Sequence, residues 1–243
     1  MGESGSGAGA GGGVGRGGAG ADGIGVAAGA GRRQELADLA ESMRADLNAV
    51  NGAREVALAA CRRTIRACGS SIRAVHRLEA QRAELLAEEA RVSLREAQGA
   101  VAPHPAIGFA GFVHDAEKEY AEAILTAALV AGRPLPGCDE IGVGIPAWLN
   151  GLAEAASELR RHLLDRLREG KLAVAERLLA DMEDVYDLLV TIDYPDAVTA
   201  GLRRSADALR AVLERTRSDL TTSILQARLQ AAITGRLEGD GHD

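Results

Sequence analysis

Residues 58–77 read LAACRRTIRACGSSIRAVHR, and two interleaved spacings in that stretch decide how the chain folds. Leu58, Cys61, Ile65, Cys68, Ile72 and Val75 recur every three or four positions, which gathers them on one arc of an α-helix. Arg62, Arg66, Arg73 and Arg77 fall within about 60° of one another on an adjoining arc. A helix patterned this way docks through its apolar seam and keeps a basic edge accessible.

The same period continues outward from about residue 32 to 237, broken by Gly and Pro. The breaks predict helices over 34–78, 79–100, 109–131, 146–170, 171–192 and 196–235. Residues 101–108, with Pro103 and Pro105, and the Pro/Gly-rich 132–144 are expected to be connections. Pro146 suits a first helical turn, where its missing N–H forfeits no bond. Composition agrees with an all-α fold. Hydrophobic residues make up 47% of the chain, enough for a core, while aromatics are only 2%, too few for a strand-rich architecture. Residues 1–31 are nearly all Gly, Ala and Ser, which cannot bury enough surface to offset chain entropy, so this stretch is expected to be a disordered tail. The helical domain would then span 32–237, with 238–243 a short acidic tail.

Several classes are excluded. No apolar run approaches the roughly 20 residues needed to cross a bilayer, and the N-terminus lacks a Lys/Arg-led signal segment, so the expected location is the cytoplasm. Cys61, Cys68 and Cys138 include no CxxC pair and are odd in number, which favours buried free thiols over disulfides or zinc. No histidine follows a glutamate by three residues, which removes a ferritin-like di-iron site. No P-loop, HExxH or GxSxG motif occurs.

The net charge of −7 argues by itself against a polyanionic partner, but the average hides local order. Lys118 and Lys171 are the only lysines; all other basic residues are arginine, whose donor fork suits phosphate, although a GC-rich genome produces the same bias. On the last predicted helix Arg203, Arg210, Arg217 and Arg228 align within about 40°, flanked by Leu202, Leu209, Leu213 and Leu220. From periodicity alone, a solvated face holding salt bridges is the simpler account of either stripe. Acids cluster too. Asp115, Glu119 and Glu122 lie within about 60° on the third predicted helix, where like charges at i,i+3 and i,i+4 repel and call for a compensating arginine or metal ion. Glu154 and Glu158 stand one turn apart on the fourth, opposite Leu149, Leu152, Leu159 and Leu163, on a face that periodicity reads as wet. Two such helices facing each other would offer the oxygen ligands that Mg²⁺ or Mn²⁺ takes.

Three segments carry a family resemblance. Arg54–Ile65, with Arg62-Arg63-Thr64-Ile65 at its end, is similar to a first-helix segment of the translin family. Glu119-Tyr120-Ala121-Glu122-Ala123 resembles that family's Glu-Tyr-x-Glu-Ala. Trp148-Leu149-Asn150-Gly151-Leu152, followed by Glu154 and Glu158-Leu159, resembles its Tyr-Leu-x-Gly-x and Asp-x-x-x-Glu-Leu. The resemblance spans about residues 35–230 and points to the catalytic branch. It implies a helical fold of about six to seven helices that closes into hollow homo-oligomers, commonly octamers. It also implies binding of single-stranded RNA or DNA, and Mg²⁺-dependent endoribonuclease activity. Glu119, Glu122, Glu154 and Glu158 would be both the metal ligands and the catalytic acids. Arg62, Arg66, Arg73, Arg77, Arg203, Arg210 and Arg217 would bind the nucleic acid. Two positions depart from the family pattern: Glu154 stands for aspartate and Trp148 for tyrosine, the latter read as a packing change. If the acids share an ion, one from each helix should approach within about 5 Å of the other. The competing reading is a non-catalytic helical scaffold or interaction protein.

Overall fold

Alanine and leucine lose little conformational freedom on entering a helix, and they set the architecture. The computed structural model describes residues 21–108 and 110–239, with side chains over 31–108 and 110–234, and among these it contains helices and no strand. In chain order they are α1 (Ala21–His76), α2 (Ala80–Val101), α3 (Pro105–Gly108), α4 (Phe112–Ala131), α5 (Cys138–Ile141), α6 (Ile145–Arg168), α7 (Leu172–Val190), α8 (Asp196–Thr199) and α9 (Leu202–Gly239). Among the described residues, no helix is long and apolar enough to cross a membrane.

The six long helices correspond to those expected from periodicity, and three single turns are added. α3 and α5 form inside the two expected connections. The expected last helix divides into α8 and α9, because Ala200 and Gly201 adopt left-handed φ values of 52° and 84°. The tail expected over 1–31 differs as well. Residues 21–31 belong to α1, while 1–20 lie outside the described residues, as do 240–243 of the expected acidic tail.

Two compact units are distinguished, one ending at Ala49 and the other beginning at Val50. In the first part, the described side chains are exposed apart from half-buried Ala40, and Leu36, Leu39, Met43 and Leu47 stand largely in solvent. From Val50 onward a continuous core forms around α6, which packs on α4, α7 and α9, while α2 packs on α4. Leu125, Leu152, Leu159, Leu163, Leu178, Met182, Leu189 and Leu209 are fully buried there. Each such side chain contributes on the order of 1.5–3 kcal/mol of transfer free energy.

Small residues decide which face of α1 docks. The buried side is Ala57, Ala60, Cys61, Thr64, Cys68, Ser71 and Ile72, whereas Ile65, expected in the seam, is 38% exposed. Alanine lets backbones approach closely, so the seam turns toward the small residues. The segment Trp148–Leu152 does more than pack. Asn150 Nδ2 donates to the carbonyls of Pro146 and Thr199, both at 2.8 Å, and Ser205 Oγ donates to Asn150 Oδ1 at 2.7 Å, tying α6 to α8 and α9. Trp148 Nε1 donates to Pro136 O at 2.9 Å, fastening the 132–137 connection to α6. The tryptophan therefore supplies a polar anchor as well as the apolar surface expected of it.

Candidate metal centre

Gly151 sets the geometry of the site. A Cβ there would lie 2.7 Å from Ala121 Cβ, 2.8 Å from Lys118 O and 3.0 Å from Glu122 N, so α4 and α6 touch backbone to backbone at this point. About one turn further along α6 is Glu154, and on α4 the residues around the contact are Glu119 and Glu122. The close crossing thereby pools glutamates from two helices. One carboxylate oxygen from each of Glu119, Glu122 and Glu154 lies within 4.8 Å of the other two. The face of α6 that periodicity reads as wet is covered here: Glu154 and Glu158 keep only 36% and 37% side-chain exposure, and Glu122 just 9% residue exposure.

Enclosed acids lose hydration and repel one another, and the proton affinities of Glu122 and Glu119 register both. Burial pushes the Glu122 carboxyl up to about 8, and the charges of Glu154, Glu119 and Glu158 add to the shift, with Lys118 opposing. Burial raises Glu119 as well, with Lys118 opposing and Glu154 and Asp115 reinforcing. Among the described residues, Lys118 is the counter-charge inside the cluster. Lys118 Nζ lies 2.6 Å from Glu154 Oε1 and 3.9 Å from Glu119 Oε1. Burial alone would lower this ammonium's proton affinity, but the bond to Glu154 and the surrounding carboxylates outweigh it and hold the group charged.

Glu158 is placed differently from its three companions. His76 Nε2, on a side chain only 3% exposed, lies 2.7 Å from Glu158 Oε2, and this hydrogen bond keeps the Glu158 carboxyl below the usual range. Glu158 flanks the group of three, near enough to raise Glu122, while its own oxygen is taken by the imidazole. Asp115 is exposed and acts on Glu119 only through its charge. α1 covers another side. Burial followed by the charges of Glu119 and Glu122 raises the Cys68 thiol, and burial followed by Glu117 and Asp115 pushes Cys61 up to about 11. Both are inert packing thiols, as expected, while Cys138 is half-buried.

Three carboxylate oxygens form a hard donor set that suits Mg²⁺ or Mn²⁺ and leaves positions for water. Ligands about 2.1 Å from one ion stand roughly 3–4 Å apart, so the observed spacing needs only a small closure. Glutamate at 154, one methylene longer than the aspartate of the family pattern, still reaches the pair on α4.

The predicted arginines are all exposed. On α1, Arg73 Nη2 donates to Ser70 Oγ at 2.9 Å, while Arg62, Arg66 and Arg77 make no ion pair among the described residues. On α9, Arg203 is 3.3 Å from Asp193, Arg217 is 2.6 Å from Glu183, and Arg210 is unpaired among the described residues. The edge on α1 is thus freer than the one on α9. Sequence reasoning missed two partners, Lys118 and His76. A lysine in a chain otherwise furnished with arginine was the available signal for the first. Nothing local marks His76, whose carboxylate partner lies 82 residues away.

A helical core whose crossing helices pool three glutamates defines a class, the all-α proteins with a carboxylate site between two helices. Comparison with known proteins narrows it. AfC3PO, solved in complex with duplex RNA, shares 34% identity and a TM-score of 0.72, over 78% of this chain and 97% of that one. AfC3PO solved alone gives 34% identity and 0.71, over 78% and 98%. NeC3PO in its apo form, at 20% identity and a TM-score of 0.66 over 77% and 96%, shares the fold. These are C3PO proteins, and the chain belongs to the translin family. An uncharacterized protein of Methanocaldococcus jannaschii is 32% identical over 123 residues, so the match spans 50% of this chain and 55% of that relative's length. No protein-family model matches the sequence.

Proposed function

We propose that this protein binds single-stranded RNA, and DNA through the same phosphate contacts, and that it cleaves RNA in a reaction dependent on a divalent cation. The observation that carries the reading is the pooling of Glu119, Glu122 and Glu154 at the α4–α6 crossing, in a chain one-third identical to a protein solved with duplex RNA. Those three carboxylates would hold Mg²⁺ or Mn²⁺, which when bound supplies positive charge against the developing phosphorane and a more acidic water. The chain's own residues do the rest. Burial at the crossing restrains water and strengthens each charge–charge interaction. Glu158, kept ionised and oriented by His76, flanks the group as a fixed negative charge that would accept a hydrogen bond from a water or ribose hydroxyl. The arginines of α1 and α9 would take the backbone phosphates without reading sequence; with so few aromatics, electrostatics outweighs base stacking. In this reading the protein works in the cytoplasm as a closed homo-oligomer, and the shell explains how an acidic protein retains a polyanion.

The test is incubation of the full chain with labelled single-stranded and duplex RNA, with and without Mg²⁺, beside Glu122→Ala. Cleavage should require Mg²⁺ and vanish in the variant, while RNA binding persists or strengthens slightly because an anion has been removed. Full cleavage by Glu122→Ala would sink the catalytic assignment. A protein that neither binds nor cleaves RNA would leave only a scaffold role.

A further inference from the structure

The ammonium of Lys118 lies among the carboxylates that would hold a metal ion. It is 2.6 Å from Glu154 Oε1 and 3.9 Å from Glu119 Oε1, and those residues supply two of the three pooled carboxylates. The side chain is only 23% exposed, so its charge is spent on the cluster rather than on solvent. Its backbone is fixed by the same close crossing, since Lys118 O is one of the atoms that a Cβ at Gly151 would meet. An ion ligated by Glu154 and Glu119 would be held a few ångströms from this ammonium. Two cations that close, in an enclosed site, repel strongly. The ammonium and the ion are therefore alternative partners of one set of oxygens. The choice of residue makes exchange feasible. Lysine is a compact charge on a flexible four-carbon stem, able to swing aside, where a bidentate arginine would be harder to dislodge. Arginine is otherwise this chain's overwhelming choice of base, with Lys171 the single other lysine.

We propose that Lys118 is a resident cation of the glutamate cluster: it holds Glu154 and Glu119 together in the metal-free protein, must withdraw for a divalent ion to bind, and so sets the affinity for that ion. This rests on the reading of Glu119, Glu122 and Glu154 as a cation site. It predicts a protein that binds its metal more weakly than its carboxylates alone would allow. It also predicts that removing the ammonium strengthens binding, the reverse of what loss of a ligand or a buried support does.

The experiment is calorimetric titration of the full-length protein with Mn²⁺ at fixed ionic strength, comparing wild type with Lys118→Met and Lys118→Arg. Lys118→Met should bind Mn²⁺ at least about tenfold more tightly, and Lys118→Arg no more tightly than wild type. The thermal midpoint of Lys118→Met should fall without metal and recover further than wild type when Mn²⁺ is added. Equal or weaker Mn²⁺ binding by Lys118→Met, with wild type binding normally, overturns the competition and leaves the metal site standing. Absence of Mn²⁺ binding in both overturns the metal site and this proposal with it. A second measurement needs no variant. With Lys118 and Lys171 the only lysines, side-chain lysine NMR signals are few enough to assign. Mg²⁺ should shift those of Lys118 and leave those of Lys171, which pairs with Glu169 at 2.8 Å, in place. Lys118 signals that stay fixed at saturating Mg²⁺ overturn the proposal whatever the variants do.

Discussion

Two rows of like charge run through this molecule, and they are built on opposite principles. At the α4–α6 crossing, acids are forced together by packing. Gly151 brings the backbones into contact, the pooled carboxyls are largely withdrawn from water, and the proton affinities of Glu119 and Glu122 climb. Along α1 and α9, arginines are spread at helical spacing on exposed faces, with no packing constraint and, at Arg62, Arg66, Arg77 and Arg210, no acid partner among the described residues. The first arrangement stores electrostatic repulsion in a fixed geometry; the second offers diffuse attraction screened by salt. Substitutions at the crossing should therefore act on everything at once, whereas those on the edges should act singly and in small steps.

The severest way to break the contrast is Gly151→Ala. The new methyl group would meet Ala121 Cβ, Lys118 O and Glu122 N at 3.0 Å or less, and two of these are backbone atoms that cannot rotate away. The helices must separate, at a cost of about 3 kcal/mol, and the glutamates must part with them. Denaturant unfolding should show the loss of stability, and stabilisation by Mn²⁺ should disappear. Unchanged stability with an intact Mn²⁺ response would mean that the crossing does not create the site.

Glu122 tests the stored repulsion more gently. Its folded carboxyl titrates near 8, against an ordinary value of 4.5, so between those limits the folded chain keeps a proton that the unfolded chain releases. Protons bound in excess by the folded state make stability fall as pH rises. Metal-free protein should thus lose stability from about pH 5 to pH 8 and level off above, and Glu122→Gln should flatten that slope. Thermal midpoints across the range measure it. A slope that persists in Glu122→Gln would place the buried proton on another group.

Helix positions were legible in the sequence because apolar spacing and Gly/Pro breaks are local signals. The α8–α9 break was not, since it rests on Ala200 at positive φ, which no residue preference announces. The acids on α4 were visible as a repelling group needing compensation, and motif spacing suggested their partner helix. Their separation into three that converge and one that turns to a histidine depends on the crossing and on His76, 82 residues from Glu158. Periodicity read the acidic side of α6 as wet because it sees one helix at a time. At Glu154 and Glu158 that face is half-buried against other elements, and such burial is a tertiary fact.

The smallest effects are expected on the basic edges, where the comparison sharpens into a ranking. An arginine that releases a counterion by contacting one phosphate contributes about one unit to the slope of log affinity against log salt. Arg66→Ala should therefore weaken RNA binding a few-fold at low salt and reduce that slope by about one, because Arg66 is exposed and gives up no ion pair when it turns to phosphate. Arg217 must first leave Glu183, which accepts from its Nε at 3.0 Å and its Nη2 at 2.6 Å, so part of its attraction to RNA is already spent. Arg217→Ala should weaken binding less and alter the slope less than Arg66→Ala. Fluorescence titrations at several salt concentrations rank the two. Equal losses would show that the Glu183 pair opens without cost, and a flat salt response in wild type would remove both edges from RNA binding altogether.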